Sequence, residues 1–191
     1  MEYAQFLRRH ISQLVSLSDD EFELVLKSFK PLQVAKKTLL LTCDEVVTKE
    51  YLVVKGCMKS FTYDEAGKEH IVQFAMENWW ISDYPAYARQ APATICIQAL
   101  EDCLVLELDI KTKQALCKKV PEMNIFFGAK AFSGYVALQK RVLSLLKNSA
   151  SEKYELLLSQ YPELFQRVSK TMLSHYLGVS RETLSRLHKK K

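Results

Sequence analysis

The sequence predicts an α+β protein: short helices flank a run of strands that closes into a sandwich or small barrel, and a long helix and a helix-turn-helix follow. Three observations carry this expectation. From Leu32 to Leu108, short β-branched or aromatic runs recur, turn-forming pieces separate them, and no helical period intervenes. Beyond Pro121 the apolar residues move to steps of three and four. Near the C-terminal end, two short helical patterns flank Gly178.

Taken in chain order, Tyr3, Phe6, Leu7, Ile11, Leu14 and Val15 share one side of a first helix. Ser18 to Glu21 ("SDDE") reads as a capping box, and Phe22, Val25, Leu26 and Phe29 give the second helix its apolar stripe, with Pro31 as its stop. The strand runs are "LLLT", "YLVVKG", "CMKSFTYD", "HIVQFAM", "TICIQAL" and "CLVLEL". "DEAGKE", with Gly67, is a hairpin turn, and "APAT" is a loop at the rim. Asp109 to Lys118 returns to a helical pattern. Pro121 then opens a helix reaching about Leu146, because a proline lacks only an N–H that the first helical turn leaves unpaired anyway. Along that helix Met123, Phe127, Ala131, Gly134, Leu138, Val142 and Leu145 make a heptad-like seam, expected to pair with a second copy of the chain. Ser149 and Glu152 cap a further helix that ends before Pro162, and the small polar residues at 148–151 suit a hinge.

The composition narrows the possible functions. No apolar run is long enough to span a membrane, and the N-terminal stretch lacks the apolar centre of a secretory signal, so a cytoplasmic location is expected. Cys43, Cys57, Cys96, Cys103 and Cys117 are odd in number and show no C-x-x-C spacing, which speaks against a disulfide framework or a zinc knuckle. His10, His70, His175 and His188 are scattered, and no metal site is expected. An enzyme is not expected. A metal-dependent barrel needs several histidines on neighbouring strands, and the strand region has only His70; G-x-S-x-G, P-loop and H-E-x-x-H motifs are absent. The net charge of +5 is unevenly placed: residues 167–191 hold seven Lys and Arg side chains against Glu182 alone. Concentrated positive charge of this kind points to an anionic partner, nucleic acid above all.

The chemistry that fits such a partner lies between Ser169 and Lys191. Ser169 caps a helix through Tyr176, with Met172, Leu173 and Tyr176 expected inward. Gly178 suits a left-handed turn, Val179 fills the angle, and Ser180 caps a second helix. At about 100° per residue, Arg181, Glu182, Ser185, Arg186 and Lys189 share one polar side, opposite Leu184 and Leu187. Arginine can grip guanine O6 and N7 with two hydrogen bonds, and glutamate can accept from cytosine N4. Ser180 and Thr183 sit at the helix N-terminus, where backbone N–H groups attract phosphate. Lys170, Lys189, Lys190 and Lys191 can neutralise backbone charge without reading sequence.

"LSHYLGVSRETLSRLHKK" resembles the helix-turn-helix of the catabolite-activator/fumarate-nitrate (Crp/Fnr) regulators, most tightly over Leu177 to Arg186. Ser174 departs from the alanine usual there, and both are small. A looser resemblance covers nearly the whole chain. It implies a double-stranded β-helix (jelly roll) sensor domain of the cyclic-nucleotide-binding type at 1–120, a dimerisation helix at 121–147, and a winged-helix-like DNA-binding domain at 148–191 that stops just after its reading helix. It also implies a homodimeric transcription regulator acting on double-stranded DNA, with Arg181, Glu182 and Arg186 reading bases in a near-palindromic site and RNA polymerase as a further partner.

Cyclic-nucleotide members of the family carry a Gly-Glu for the ribose and an Arg-Ser or Arg-Thr for the phosphate. Here Ser82-Asp83 and Ala93-Thr94 stand in those places, so the cation a buried phosphate needs is missing, and neither cAMP nor cGMP is expected as a cofactor. Arg89 lies nearby, and Trp79, Trp80, Tyr84 and Tyr87 are candidates to line a pocket for another effector. The cysteines do not cluster as in the family's iron–sulfur sensors. The alternative function is a ligand-sensing β-roll acting through protein contacts, its helix-turn-helix vestigial.

Overall fold

The computed structural model describes residues 2–189. The chain begins with α1 (Glu2–Ser12) and α2 (Asp19–Ser28), then runs through β1 (Lys30–Val34), β2 (Leu39–Leu41), β3 (Lys49–Lys55), β4 (Met58–Tyr63), β5 (Glu69–Ala75) and β6 (Trp80–Ile81). After α3 (Tyr84–Arg89) come β7 (Cys96–Ala99) and β8 (Cys103–Asp109), and then α4 (Ile110–Lys119), α5 (Glu122–Lys147), α6 (Ala150–Gln160), α7 (Leu164–Arg167), α8 (Lys170–Leu177) and α9 (Arg181–Lys189). The strands form two four-stranded sheets, ordered β1-β8-β3-β6 and β2-β7-β4-β5.

The central strands of the first sheet, β3 and β8, are buried on both faces, and they carry apolar runs for that reason, whereas the edge strand β1 is exposed up to Val34. Tyr51, Val53, Cys103 and Val105 join the cluster of Val34, Met58, Ile81 and Ile97 between the sheets. Their neighbours Leu52, Leu106 and Leu108 turn the other way, onto Leu7, Ile11, Phe22, Val25, Leu116 and Phe126 from the helices. Antiparallel register holds this alternation in place, with Leu52 opposite Leu106 and Val53 opposite Val105. The expected turn at 64–69 joins β4 to β5: the Asp64 carboxylate accepts from the amides of Ala66 and Lys68, and Gly67 has φ of 76°.

Several expectations need correction. Pro31 does not stop α2, which ends at Ser28; it lies inside β1, an edge strand whose outer side needs no N–H donor. The strand region contains a helix, α3, started by Asp83 as N-cap with Pro85 in its first turn. β6, only two residues long, gave no recognisable period. α1 ends before Leu14, which is 45% exposed.

By contacts the chain divides into two compact units. One comprises the residues up to Ser60 together with Phe74–Ser133. The other comprises Phe61–Gln73, at the tip of the β4–β5 hairpin, and the chain from Gly134 onward. In the first unit Met123, Phe126 and Phe127 of α5 are buried. Phe127 packs edge-on against Trp80 and Phe126, and the Lys113 ammonium lies 4.2 Å from its ring. Its ring therefore belongs to the protomer's own core, not to a seam. Ala131, Gly134, Leu138, Val142 and Leu145 are exposed, as are Phe132, Tyr135 and Leu146 beside them. In the second unit Tyr154, Leu157, Leu164, Val168, Leu173, Leu177 and Leu184 are buried.

Candidate nucleic-acid interface

Two capped helices joined at a glycine build the interface. Ser169 Oγ accepts from the Met172 amide and starts α8. Gly178 ends it in the left-handed region, φ 65° and ψ 37°, its N–H donating to Ser174 O, while Val179 N–H reaches the same carbonyl at 3.1 Å. The inward side of α8 is Leu173, Ser174 and Leu177; Met172 and Tyr176, expected inward, are only half-buried. At Ser174 the hydroxyl is satisfied by donating to Thr171 O at 2.8 Å, which lets a polar residue fill the small buried position.

Ser180 then caps α9. Its Oγ accepts from the Thr183 amide at 3.1 Å and shares a hydrogen bond with Thr183 Oγ1. Leu184 is 1% exposed, and α9 packs on both α8 and α6. The other side of the helix is open: Arg181, Glu182 and Arg186 are exposed, and Thr183 and Ser185 half-buried. Glu182's own amide, then the Ser180 hydroxyl and the Arg181 and Arg186 cations, hold its carboxyl below its ordinary value. It is therefore an ionised acceptor between two donors, an arrangement able to match a mixed donor and acceptor pattern on base edges. Lys170 is exposed at the start of α8. Lys190 and Lys191, and the side chain of Lys189, lie outside the described residues.

Arg141 holds the helix pair from behind. Its guanidinium donates to Tyr176 O at 3.1 Å and Ile71 O at 2.9 Å, and lies 3.5 Å over the Tyr176 ring. Next to it His175 Nδ1 and Glu69 Oε1 are 3.3 Å apart. The end of α8 is thus fixed to the β4–β5 hairpin within the second unit. The sequence held no sign of this, because a lone arginine on a long helix has no distinguishing neighbours.

The candidate effector residues are only partly brought together. Asp83 is 1% exposed, and its carboxylate accepts from Ala86 N, Thr94 N, Thr94 Oγ1 and Ile95 N at 2.7–3.2 Å. Burial opposes its ionisation, but these donors prevail and keep it below its ordinary value. Ser82 Oγ donates to Lys49 O. Trp79 packs on the cluster between the sheets, whereas Trp80 faces the helices and donates from Nε1 to His10 Nε2, so the two tryptophans do not line one pocket. Tyr84 and Arg89 are exposed. Tyr87 is buried, its hydroxyl without a partner, near a Glu50–Lys113 ion pair of 2.6 Å that the sequence reading missed. Among the described residues no group of three or more His, Cys, Asp or Glu is placed to hold a metal, and no helix is long and apolar enough to cross a membrane.

Residues 31–120 match the family model of the cyclic nucleotide-binding domain. The chain is 25% identical over 179 residues to the anaerobic regulatory protein of Aggregatibacter actinomycetemcomitans, covering 88% of this chain and 68% of that one. It is 26% identical over 180 residues to the fumarate and nitrate reduction regulatory protein of Escherichia coli, covering 88% and 70%. Its fold is similar to FixK2 from Bradyrhizobium japonicum, with a TM-score of 0.73 at 17% identity over 85% of this chain and 83% of that one. It also matches the catabolite activator protein of Thermus thermophilus, with a TM-score of 0.55 at 20% identity over 92% and 84%. These likenesses are all to Crp/Fnr regulators. They support reading the chain as a DNA-binding transcription regulator, a class that is not enzymatic. The β-roll and the helix-turn-helix expected of such a regulator are both in the fold. At the positions that the sequence sets against a nucleotide cassette, the structure has the Asp83 carboxylate and its four donors.

Proposed function

We propose that this regulator binds a near-palindromic duplex as a homodimer in the cytoplasm, each α9 entering a major groove. Arg181, Glu182 and Arg186 read base edges. Ser180, Thr183 and Ser185 flank them, Lys170, Lys189 and Lys190 neutralise phosphates, and the bound dimer meets RNA polymerase. The observation that carries this reading is the division of α9, with Leu184 sealed at 1% exposure and the Arg181, Glu182 and Arg186 side chains open to solvent. The second copy is supported by the exposed apolar side of α5, where Phe132, Tyr135 and Leu146 are 68%, 62% and 77% exposed. Selection of bound duplexes from a random pool tests the proposal. Enrichment of an inverted repeat, with half-site centres about one helical turn apart, is the expected result. Binding that stays equal for all duplexes across a salt series sinks it.

We also propose that the β-roll takes neither cAMP nor cGMP. A buried cyclic phosphate needs a cation and free N–H donors. The Ala86, Thr94 and Ile95 amides are already engaged by Asp83, itself an anion that repels another. Either nucleotide at millimolar concentration should leave the melting temperature unchanged, whereas a ligand well above its Kd raises it.

A further inference from the structure

At one rim of the β-roll lies a pair of thiols that DNA reading does not use. Cys43 follows β2, and Cys96 opens β7. The two strands pair antiparallel, with Leu41 opposite Ile97. On the far side of Cys43 the Asp44 amide donates to Ala93 O at 3.2 Å, and the Ala93 amide to Glu45 O at 2.8 Å. Backbone hydrogen bonds therefore fix the chain on both sides of the pair, and no movement is needed to bring the sulfurs together. They lie 2.7 Å apart as free thiols. Cys43 is exposed and Cys96 half-buried, so a small molecule can reach them, whereas Cys57 and Cys103 are buried. We propose that Cys43 and Cys96 form a dithiol site for two-electron oxidation by a hydroperoxide.

The chemistry balances without a further reactant. One sulfur takes an oxygen from the peroxide O–O bond and becomes a sulfenic acid, and the rest of the hydroperoxide leaves as its alcohol, which is water when the oxidant is hydrogen peroxide. The second sulfur attacks the first, the S–S bond forms, and the sulfenic hydroxyl departs with the second thiol's proton as water. Two thiols are oxidised and one peroxide is reduced. Contact between the sulfurs is what the geometry supplies: the sulfenic acid is captured before a second peroxide reaches it. Hydrogen bonding to Cys96 first, and burial second, push the Cys43 thiol up to about 11. Cys43 is thus a slow nucleophile near neutral pH and quickens as pH rises, because the thiolate is the attacking form. Thr94 and Ile95, which supply three of the four donors to Asp83, immediately precede Cys96, so the new bond is made at the edge of that cradle.

The test uses the full reduced chain titrated with hydrogen peroxide, then alkylated under denaturing conditions, digested and weighed by mass spectrometry. Alkylatable thiols should fall by two from five, with a 43–96 cross-linked peptide from a single chain that dithiothreitol releases. Cys43→Ser and Cys96→Ser should each lose the cross-link and leave a sulfenic acid that dimedone traps on the remaining partner. Circular dichroism confirms that both variants stay folded. Five surviving thiols, over-oxidation at Cys43 without a cross-link, or a bridge to any other cysteine or between chains each overturns the proposal. None of these outcomes depends on DNA binding.

Discussion

Arg186 and His10 show how much can hang on one side chain. Arg186 is exposed beside an ionised Glu182 on the open side of α9. Arg186→Ala should cost about 1–3 kcal/mol at the selected duplex and relax one base position, read by competition binding. Lys170→Ala should instead weaken all duplexes alike and reduce the salt slope by about one. His10 is a matter of stability. It is 1% exposed, Nδ1 lies 3.2 Å from Asn78 Oδ1, and Nε2 accepts from Trp80. Both contacts suit a neutral ring protonated at Nδ1; a second proton at Nε2 would face the indole N–H. Burial, then the Lys130 charge, lower its pKa from 6.5 to about 4. The unfolded chain therefore binds this proton at higher pH than the folded one. The stability it carries is complete above 6.5 and is lost as pH falls toward 4. Urea midpoints should fall through that window, and His10→Gln should flatten this part of the fall.

Among the elements, two glycine turns separate what could be read from the chain and what could not. Gly178 stands between two helical patterns with caps on either side, so its left-handed turn was legible from local sequence. Gly56 was not, since "YLVVKG" shows only where β3 ends. The neighbour that matters is remote in sequence: a Cβ on Gly56 would lie 2.5 Å from Cys103 Sγ and 2.9 Å from Cys103 Cα, at φ 106°. At Gly178 the first atom met is Leu145 Cδ2, at 4.0 Å. Gly178→Ala should therefore cost about 1 kcal/mol, from backbone conformation alone. Gly56→Ala adds a clash with backbone and should cost about 3 kcal/mol or more. Thermal melts of the two variants rank them, and equal losses would contradict this account. The same division holds for the sites. The α9 face follows from helical period, whereas the Asp83 cradle, the Arg141 clamp and the Cys43–Cys96 pair all depend on which strands and helices become neighbours.

For the whole molecule, the proposed homodimer turns on which side of α5 would meet a second copy. A heptad count alone gives a phase without saying which apolar residues the protomer has already used. Phe127 shows the ambiguity: it fits the seam by spacing, yet it is 8% exposed among Trp80, Phe126 and Lys113. Phe132, Tyr135, Val142 and Leu146 fall within about 80° of one another on the open side, with Gly128 between them in angle. A Cβ on Gly128 or Gly134 would meet nothing within 4 Å among the described residues, so the protomer itself gives no reason for either to be small. Close approach of another helix would give one. Two variants separate the roles. Phe127→Ala should lower stability by about 3–5 kcal/mol, because it empties a packed site, and leave the folded protein dimeric by light scattering. Phe132→Glu removes a ring that the protomer does not bury, so its melting temperature at low concentration should change little. A carboxylate in a helix–helix contact should nevertheless split the dimer and leave only half-site affinity for the selected duplex. If Phe132→Glu remains a dimer while Phe127→Ala dissociates, the buried and exposed sides have been assigned the wrong way round.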